Sequence, residues 1–202
     1  MRTVVFDLGG VLVPSSRVVP LLAADLGVTE AEFAAAYWPP RQAYDLGGSA
    51  SEYWGVVVTA LGRDAEPDLL RGLEQTDSDK WSTLPPESVA LLDQLRDDGE
   101  RLTVLSNAPA PLAVAVRAAA WSDLMERLLF SAEIGVMKPD PAVYVSADAA
   151  FGTVPGDVVF FDDRADNVAA ARDHGWDAHL WCNPETALQV LSAHSEMAGR
   201  RD

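Results

Sequence analysis

Residues 4–12 read Val4-Val5-Phe6-Asp7-Leu8-Gly9-Gly10-Val11-Leu12, an apolar run that leads directly into a carboxylate and two glycines. Continuous apolar residues are typical of a strand that is covered on both faces of a parallel sheet. Ligands of open α/β sheets bind beyond the carboxyl ends of such strands, which is where Asp7 should lie. The two glycines allow a sharp turn and a close approach of backbone to ligand. The stretch therefore predicts a reactive carboxylate at the edge of a parallel sheet.

The composition excludes several kinds of partner. The 202 residues include 31 acidic and 15 basic side chains, which give a formal net charge of −16. Nucleic acids and anionic membranes bind basic surfaces, so we expect neither as a partner. The single cysteine, Cys182, is typical of a reducing compartment. Because the first strand begins so near Met1, we expect no signal peptide and predict a cytoplasmic protein.

The periodicity of the chain divides it into two units. From about Arg17 to about Trp81 the apolar residues recur at helical spacing, whereas strand and helix patterns alternate from Leu84 onward. Such alternation is typical of a doubly wound parallel sheet. We therefore predict an α/β fold with a Rossmann-like core at residues 1–14 and 83–202 and a helical-bundle cap domain at residues 15–82.

Polar side chains end the inner strands of the predicted sheet. Asp7 follows the first strand, Ser106 and Asn107 follow the second, and Asp162 and Asp163 follow the fourth. Because the carboxyl ends of parallel strands share one edge, these residues should converge on one cleft. Three carboxylates in one cleft repel one another unless a cation lies between them. Mg²⁺, which prefers carboxylate, water and phosphate oxygens, would resolve that repulsion.

Each of these residues also has a simpler structural explanation when it is taken alone. Ser106 or Asn107 could cap the helix that opens near Pro109, and Asp163 could lie at a helix start. Lys138, in the loop after the third strand, could be an exposed surface cation. Taken together with the carboxylates, Lys138 and the Ser106 hydroxyl, with the adjacent Asn107, would instead bind the oxygens of a phosphate.

Four motifs in this order resemble the haloacid dehalogenase superfamily, and the resemblance covers nearly the whole chain. They are Phe6-Asp7-Leu8-Gly9-Gly10-Val11, Leu105-Ser106-Asn107, Lys138-Pro139-Asp140 and Phe161-Asp162-Asp163-Arg164-Ala165-Asp166-Asn167. The inserted helical unit is similar to the small C1-type cap of the members that include phosphoglycolate phosphatases, sugar phosphatases and the dehalogenases. The resemblance implies a phosphohydrolase in which such a cap closes over the core.

The resemblance also implies a role for each motif residue. Asp7 would be the nucleophile that forms an aspartyl phosphate. Ser106 and Lys138 would offset charge on the transferring phosphoryl group, and Asn167 would steady Lys138 or the metal loop from behind. The implied Mg²⁺ ligands are Asp7, the backbone carbonyl of Gly9, Asp163, and Asp162 directly or through water.

Gly9 departs from the superfamily pattern, because most of its phosphatases carry a second aspartate there as general acid and base. Such catalysis contributes ~10²- to 10⁴-fold. Water or a cap residue could replace it, with Arg41, Tyr44 and Asp45 as candidates that could also set substrate specificity. Alternatively the leaving group needs little protonation, as with an anomeric sugar phosphate, or the domain does not turn over. Similar sugar phosphatases carry glycine at this position, which favours activity.

The leading hypothesis is a Mg²⁺-dependent phosphatase that acts on a small phosphorylated metabolite such as a sugar phosphate, as a monomer or homodimer. One alternative is a hydrolytic 2-haloacid dehalogenase, in which the same carboxylate attacks carbon without a metal. That alternative explains Asp162 and Asp163 less well, and those enzymes usually have an aromatic residue where Gly9 stands. The other alternative is a catalytically silent domain that binds phosphate or a partner.

Overall fold

A five-stranded parallel sheet forms the core of the computed structural model, which describes residues 2–198. Apolar strands that are buried on both faces form its centre, and every residue of the first strand is buried. The strand order is β3-β2-β1-β4-β5. The strands are β1 (Thr3–Phe6), β2 (Arg101–Ser106), β3 (Arg127–Phe130), β4 (Val158–Asp162) and β5 (Asp177–Leu180). The predicted α/β fold with a parallel sheet is confirmed.

Five helices lie between β1 and the remainder of the core, as the periodicity predicts. The fifth and longest of these helices packs against the fourth. It also packs against the first helix that follows β2, so it connects this unit to the core. They are α1 (Ser15–Asp25), α2 (Glu30–Tyr37), α3 (Arg41–Asp45), α4 (Ala50–Ala60) and α5 (Pro67–Ser82). We call these five helices the cap; the domain boundaries at residues 14/15 and 82/83 stay a prediction.

Within the described residues, six further α-helices flank the sheet. They are α6 (Pro86–Asp97), α7 (Ala110–Ala118), α8 (Ser131–Ile134), α9 (Pro141–Phe151), α10 (Ala165–His174) and α11 (Pro184–Ala198). No helix in the described part of the chain is long and apolar enough to cross a membrane.

The cap is joined to the core by two connections, and a hydrogen bond fixes each. The hydroxyl of Ser88 donates to the carbonyl of Leu12 at 2.7 Å. The indole of Trp121 donates to the carbonyl of Ser82, also at 2.7 Å. Leu12 and Ser82 lie close to the two ends of the inserted segment, so these bonds anchor the chain where it leaves and re-enters the core.

The register of the three central strands brings their carboxyl ends level. Phe6 pairs with Val104 of β2 and with Phe161 of β4. The residues that follow these positions, Asp7 among them, therefore meet at one edge of the sheet. The capping explanation for Ser106 and Asn107 is wrong, because α7 begins after Pro109 without a side-chain cap.

Candidate active site

A cavity of about 810 Å³ opens between the carboxyl edge of the sheet and the cap. The core contributes the predicted polar side chains to its wall, and the cap contributes two tryptophans with polar residues between them. From the core come Asp7, Ser106, Asn107, Lys138, Asp163 and Asn167; from the cap come Trp38, Arg41, Gln42, Asp45 and Trp81. The structure thus brings residues from both units around one space.

Lys138 bridges two carboxylates at the base of this cavity. Its Nζ lies 3.0 Å from Oδ1 of Asp7 and 2.7 Å from Oδ2 of Asp162, and it donates to the carbonyl of Leu105 at 2.8 Å. The residue is only 2% exposed, so its interpretation as a surface cation is wrong. Burial disfavours the charged ammonium, but Asp162 and Asp7 outweigh burial and raise the pKa of Lys138. Lys138 therefore carries a fixed positive charge.

Asn107 orients the backbone that presents Lys138. Its amide nitrogen donates to the Lys138 carbonyl at 2.8 Å, and its amide oxygen accepts from the Lys138 N–H at 2.9 Å. These two bonds pin the loop after β3 to the end of β2. A direct contact between Asn107 and phosphate stays a prediction, because the amide is already committed to Lys138.

Asp7 is buried next to Lys138, and its environment makes ionisation costly. Burial raises the pKa of Asp7 to about 7, against the opposing pull of Lys138 and with a further contribution from the charge of Asp162. The N–H of Leu8 donates to Oδ1 of Asp7 at 2.7 Å, and the nearby Ser106 hydroxyl opposes the rise in the pKa of Asp7. A cation beside Asp7 would favour its nucleophilic, ionised form.

Asp162 is wholly buried, and donors of the chain itself satisfy both of its oxygens. Oδ2 accepts from Lys138, while Oδ1 accepts from the Asn167 amide and from the Arg164 N–H, each at 2.9 Å. Asn167 therefore steadies Lys138 through Asp162. Because both of its oxygens already accept hydrogen bonds, Asp162 organises the site and has less capacity to bind a metal.

The carboxylates of Asp7, Asp162 and Asp163 each offer an oxygen within 4.8 Å of the others. Asp163 is the exposed member, but its carboxyl is still partly desolvated, and this desolvation together with the charge of Asp162 raises the pKa of Asp163. A hard divalent cation fits this donor set, since Mg²⁺ commonly takes one or two carboxylates and completes its octahedron with water and phosphate. Asp7 and Asp163 would hold it, with the backbone of Gly9 lining the same cavity.

Gly10 makes room for the Asp163 carboxylate. A Cβ at position 10 would lie 2.2 Å from Oδ2 of Asp163, and the φ angle of +80° disfavours any other residue. We expect Gly10→Ala to displace Asp163 and to weaken Mg²⁺ binding by about 10- to 100-fold, measured by titration calorimetry. Gly9→Ala is the matched comparison, because its Cβ would meet only ring carbons of Trp81, the nearest at 3.2 Å, and no carboxylate. Equal losses in the two variants would contradict this role of Gly10.

The ring of Trp81 occupies the space next to Gly9 into which a side chain would extend. Its indole N–H donates to the hydroxyl of Tyr37 at 2.9 Å, and that hydroxyl donates to Asp77 at 2.7 Å. The sequence indicated that an acid is missing at position 9. A cap residue was among the expected substitutes, but Trp81 was not one of the candidates.

Two of the three cap candidates, Arg41 and Asp45, line the cavity. They form an ion pair of 2.8 Å, and Arg41 also lies 3.3 Å from Asp77. Tyr44 instead packs inside the cap, where its ring stacks on Tyr53 with centroids 4.3 Å apart. Burial raises the pKa of Asp45 to about 6 despite the opposing effect of Arg41, so Asp45 is ionised at neutral pH.

Sequence reasoning missed Asp77, although the sequence contains a signal for it. Asp77 falls in the buried stripe of α5 together with Leu70, Leu73 and Trp81. A carboxylate at helical spacing among apolar residues predicts a buried acid that requires a cationic partner. That partner is Arg41, which lies on a different helix.

Comparison with known proteins places this arrangement among hydrolases. A family model described as haloacid dehalogenase-like hydrolase matches residues 1–175. A phosphatase of Mycobacterium tuberculosis is 35% identical over 124 residues, or 59% of this chain and 54% of that relative. An (S)-2-haloacid dehalogenase of Pseudomonas is 29% identical over 190 residues, or 88% of this chain and 82% of the relative.

A solved structure supports the fold assignment. It is a family enzyme of Bacteroides thetaiotaomicron in complex with magnesium and inorganic phosphate, with a TM-score of 0.67 and 18% identity. The superposition covers 91% of this chain and 95% of that one. At this level of identity the likeness concerns the fold alone.

Proposed function

The chain belongs to the haloacid dehalogenase-like hydrolases, and from that premise we propose that it is a Mg²⁺-dependent phosphatase of a small phosphorylated metabolite, of the sugar-phosphatase-like kind. The observation that carries the proposal is the exposed carboxylate of Asp163 beside the buried pair of Asp7 and Asp162. Attack of a carboxylate on carbon has no need of that third acid. Attack on a phosphate, which brings further negative charge, requires a cation there.

Asp7 is the nucleophile of the proposed reaction. One of its carboxylate oxygens attacks phosphorus, the bond from phosphorus to the ester oxygen breaks, and that oxygen leaves with the electron pair and gains a proton. Water then attacks the phosphorus of the aspartyl phosphate, which releases inorganic phosphate and regenerates Asp7. When bound, Mg²⁺ would supply positive charge for the phosphoryl oxygens.

The other residues of the site stabilise charge and hold Asp7 in place. Lys138 donates to Asp7 before attack and is positioned to follow the negative charge onto the phosphoryl group. Ser106 offers a hydroxyl donor at the end of β2. For the departing oxygen, water is the proton source in this proposal, since position 9 carries no acid and Asp45 is ion-paired with Arg41.

A substrate screen tests the proposed function. We expect release of inorganic phosphate from members of a phosphate monoester panel that includes sugar phosphates, with activity that requires Mg²⁺ and is lost on chelation. Because the chain is similar to an (S)-2-haloacid dehalogenase, hydrolytic dehalogenation is the second candidate activity. Halide release from 2-chloropropionate that survives chelation, without turnover of any phosphate ester, would overturn the proposal in favour of that candidate.

A further inference from the structure

We propose that the cap selects phosphate esters whose leaving group bears no second negative charge, because the cations that line the cavity are already paired with carboxylates of the chain. This inference rests on the proposed phosphatase function and concerns the part of the substrate that faces the cap. The specificity arises because carboxylates of the cap neutralise Arg41.

Three basic residues line the cavity among those the structure describes: Arg41, Lys138 and Arg164. Lys138 is held between Asp7 and Asp162 and is needed for the phosphoryl group. Arg164 lies at the rim, where its side chain is 63% exposed and pairs with Asp166 at 2.7 Å. A charge so exposed is screened by water and salt. Only Arg41 could present a desolvated cation to the leaving group.

Arg41 does not present a free cation, because two carboxylates and three aromatic rings enclose it. Its guanidinium pairs with Asp45 and Asp77 and also donates to the Tyr37 hydroxyl. The guanidinium carbon lies 5.1–5.8 Å from the ring centroids of Tyr37, Tyr44 and Tyr53. The side chain is 10% exposed. Arg41 is therefore held in place, and its charge is already paired within the cap.

The charge of this group is negative when both acids are ionised, since one guanidinium faces two carboxylates. Asp45, which lines the cavity, would lie against any carboxylate or second phosphate on the leaving group. Like charges at close range in a partly desolvated site disfavour binding. The cap wall therefore repels an anionic leaving group and accepts a neutral one.

The remainder of the cap wall suits a neutral organic group. Trp38 is 44% exposed and lies edge-to-face with Trp81, with ring centroids 6.4 Å apart. Exposed indole rings pack against apolar or C–H faces of ligands. Gln42 and Ser15 offer neutral hydrogen bonds, and Asp45 can accept one from a hydroxyl. A sugar or another hydroxylated carbon skeleton meets these requirements.

Matched pairs of substrates test the inference in the full-length protein with Mg²⁺. The pairs are 2-hydroxyethyl phosphate against 2-phosphoglycolate, and phenyl phosphate against 4-carboxyphenyl phosphate. Each pair differs in one carboxylate, and we expect kcat/KM to favour the neutral member by about tenfold or more. Asp45→Asn should reduce this preference to about threefold or less by exposing the Arg41 charge. Asp64→Asn, in an exposed cap loop away from the cavity, is the control that should retain it.

The outcomes separate this inference from the proposed function. Equal turnover of both members of each pair would overturn the inference and leave the phosphatase intact, whereas Mg²⁺-dependent turnover of no ester would overturn both. A preference for carboxylated esters that is lost in Arg164→Gln would identify the rim arginine as the anion's partner and contradict the inference. If thermal unfolding shows that Asp45→Asn is unfolded, Asp77→Asn replaces it, because it removes the other carboxylate paired with Arg41 and should reduce the preference in the same way. The preference of the wild-type protein tests the inference without any variant.

Discussion

Asp7→Asn is expected to abolish phosphate release, with a fall in kcat on the order of 10⁴-fold or more. An amide oxygen is a poor nucleophile, so no aspartyl phosphate forms, while the shape of the side chain and its acceptor toward Lys138 are retained. Burial raises the pKa of Asp7, so the buried charge is costly to the fold. Replacement of the charged carboxylate by a neutral amide should leave the free energy of unfolding equal or higher at pH 8. The measurements are single-turnover phosphate release and denaturant unfolding.

Asp163→Asn is the informative comparison for that experiment. Because the Asp163 side chain is not the nucleophile, the activity of the Asp163→Asn variant should recover at high Mg²⁺ concentration. The activity of Asp7→Asn should not. Intact-protein mass spectrometry after rapid quenching should detect phosphate on the wild-type chain and none on Asp7→Asn. Retention of a few per cent of wild-type activity by Asp7→Asn, with deamidation excluded by mass, would remove Asp7 from the role of nucleophile.

Lys138→Met should both inactivate the protein and destabilise it by about 3–5 kcal/mol. Methionine retains the apolar stem but leaves the buried carboxylates of Asp7 and Asp162 without their shared cation. An uncompensated buried charge costs more than the ion pair contributes. Thermal or urea unfolding measures the loss. Addition of Asp162→Asn to Lys138→Met should recover part of the stability by removing one of the two unpaired charges.

The other lysine of the chain provides the control. Lys80 pairs with Asp25 at 3.4 Å on the surface of the cap, where its side chain is 24% exposed and that of Asp25 is 53% exposed. Exposed pairs are worth about 0–1 kcal/mol, so Lys80→Met should change little. If both lysine variants unfolded at the same denaturant concentration, Lys138 would not be the central cation of the site.

The strand-end residues could be predicted because the information for them is local. A buried strand is recognisable from its own residues, and parallel topology then places Asp7, Ser106 and Asp162 at one edge whatever the helices do. Lys138 shows the limit of that reasoning. Nothing in Met137-Lys138-Pro139 distinguishes a surface loop from a buried ammonium, because its partners come from β1, β2 and β4.

The cap shows the same limit more strongly. Arg41, Tyr44 and Asp45 are neighbours in sequence, yet Arg41 and Asp45 line the cavity while Tyr44 packs against Tyr53. Which face of so short a helix meets the cavity depends on how α3 packs against α4 and the core. The periodicity of five residues does not determine it.

By itself the sequence determined an α/β fold and membership of the haloacid dehalogenase-like hydrolases, since strand periodicity and motif order are properties of short segments. Tertiary structure alone decided that Trp81 fills the space beside Gly9 and that Asp45 and Asp77 neutralise Arg41. The physical reason is that burial, and the charge pairing it enforces, depends on contacts between segments distant in the chain. In the proposed phosphatase, those contacts would set which leaving group the site accepts.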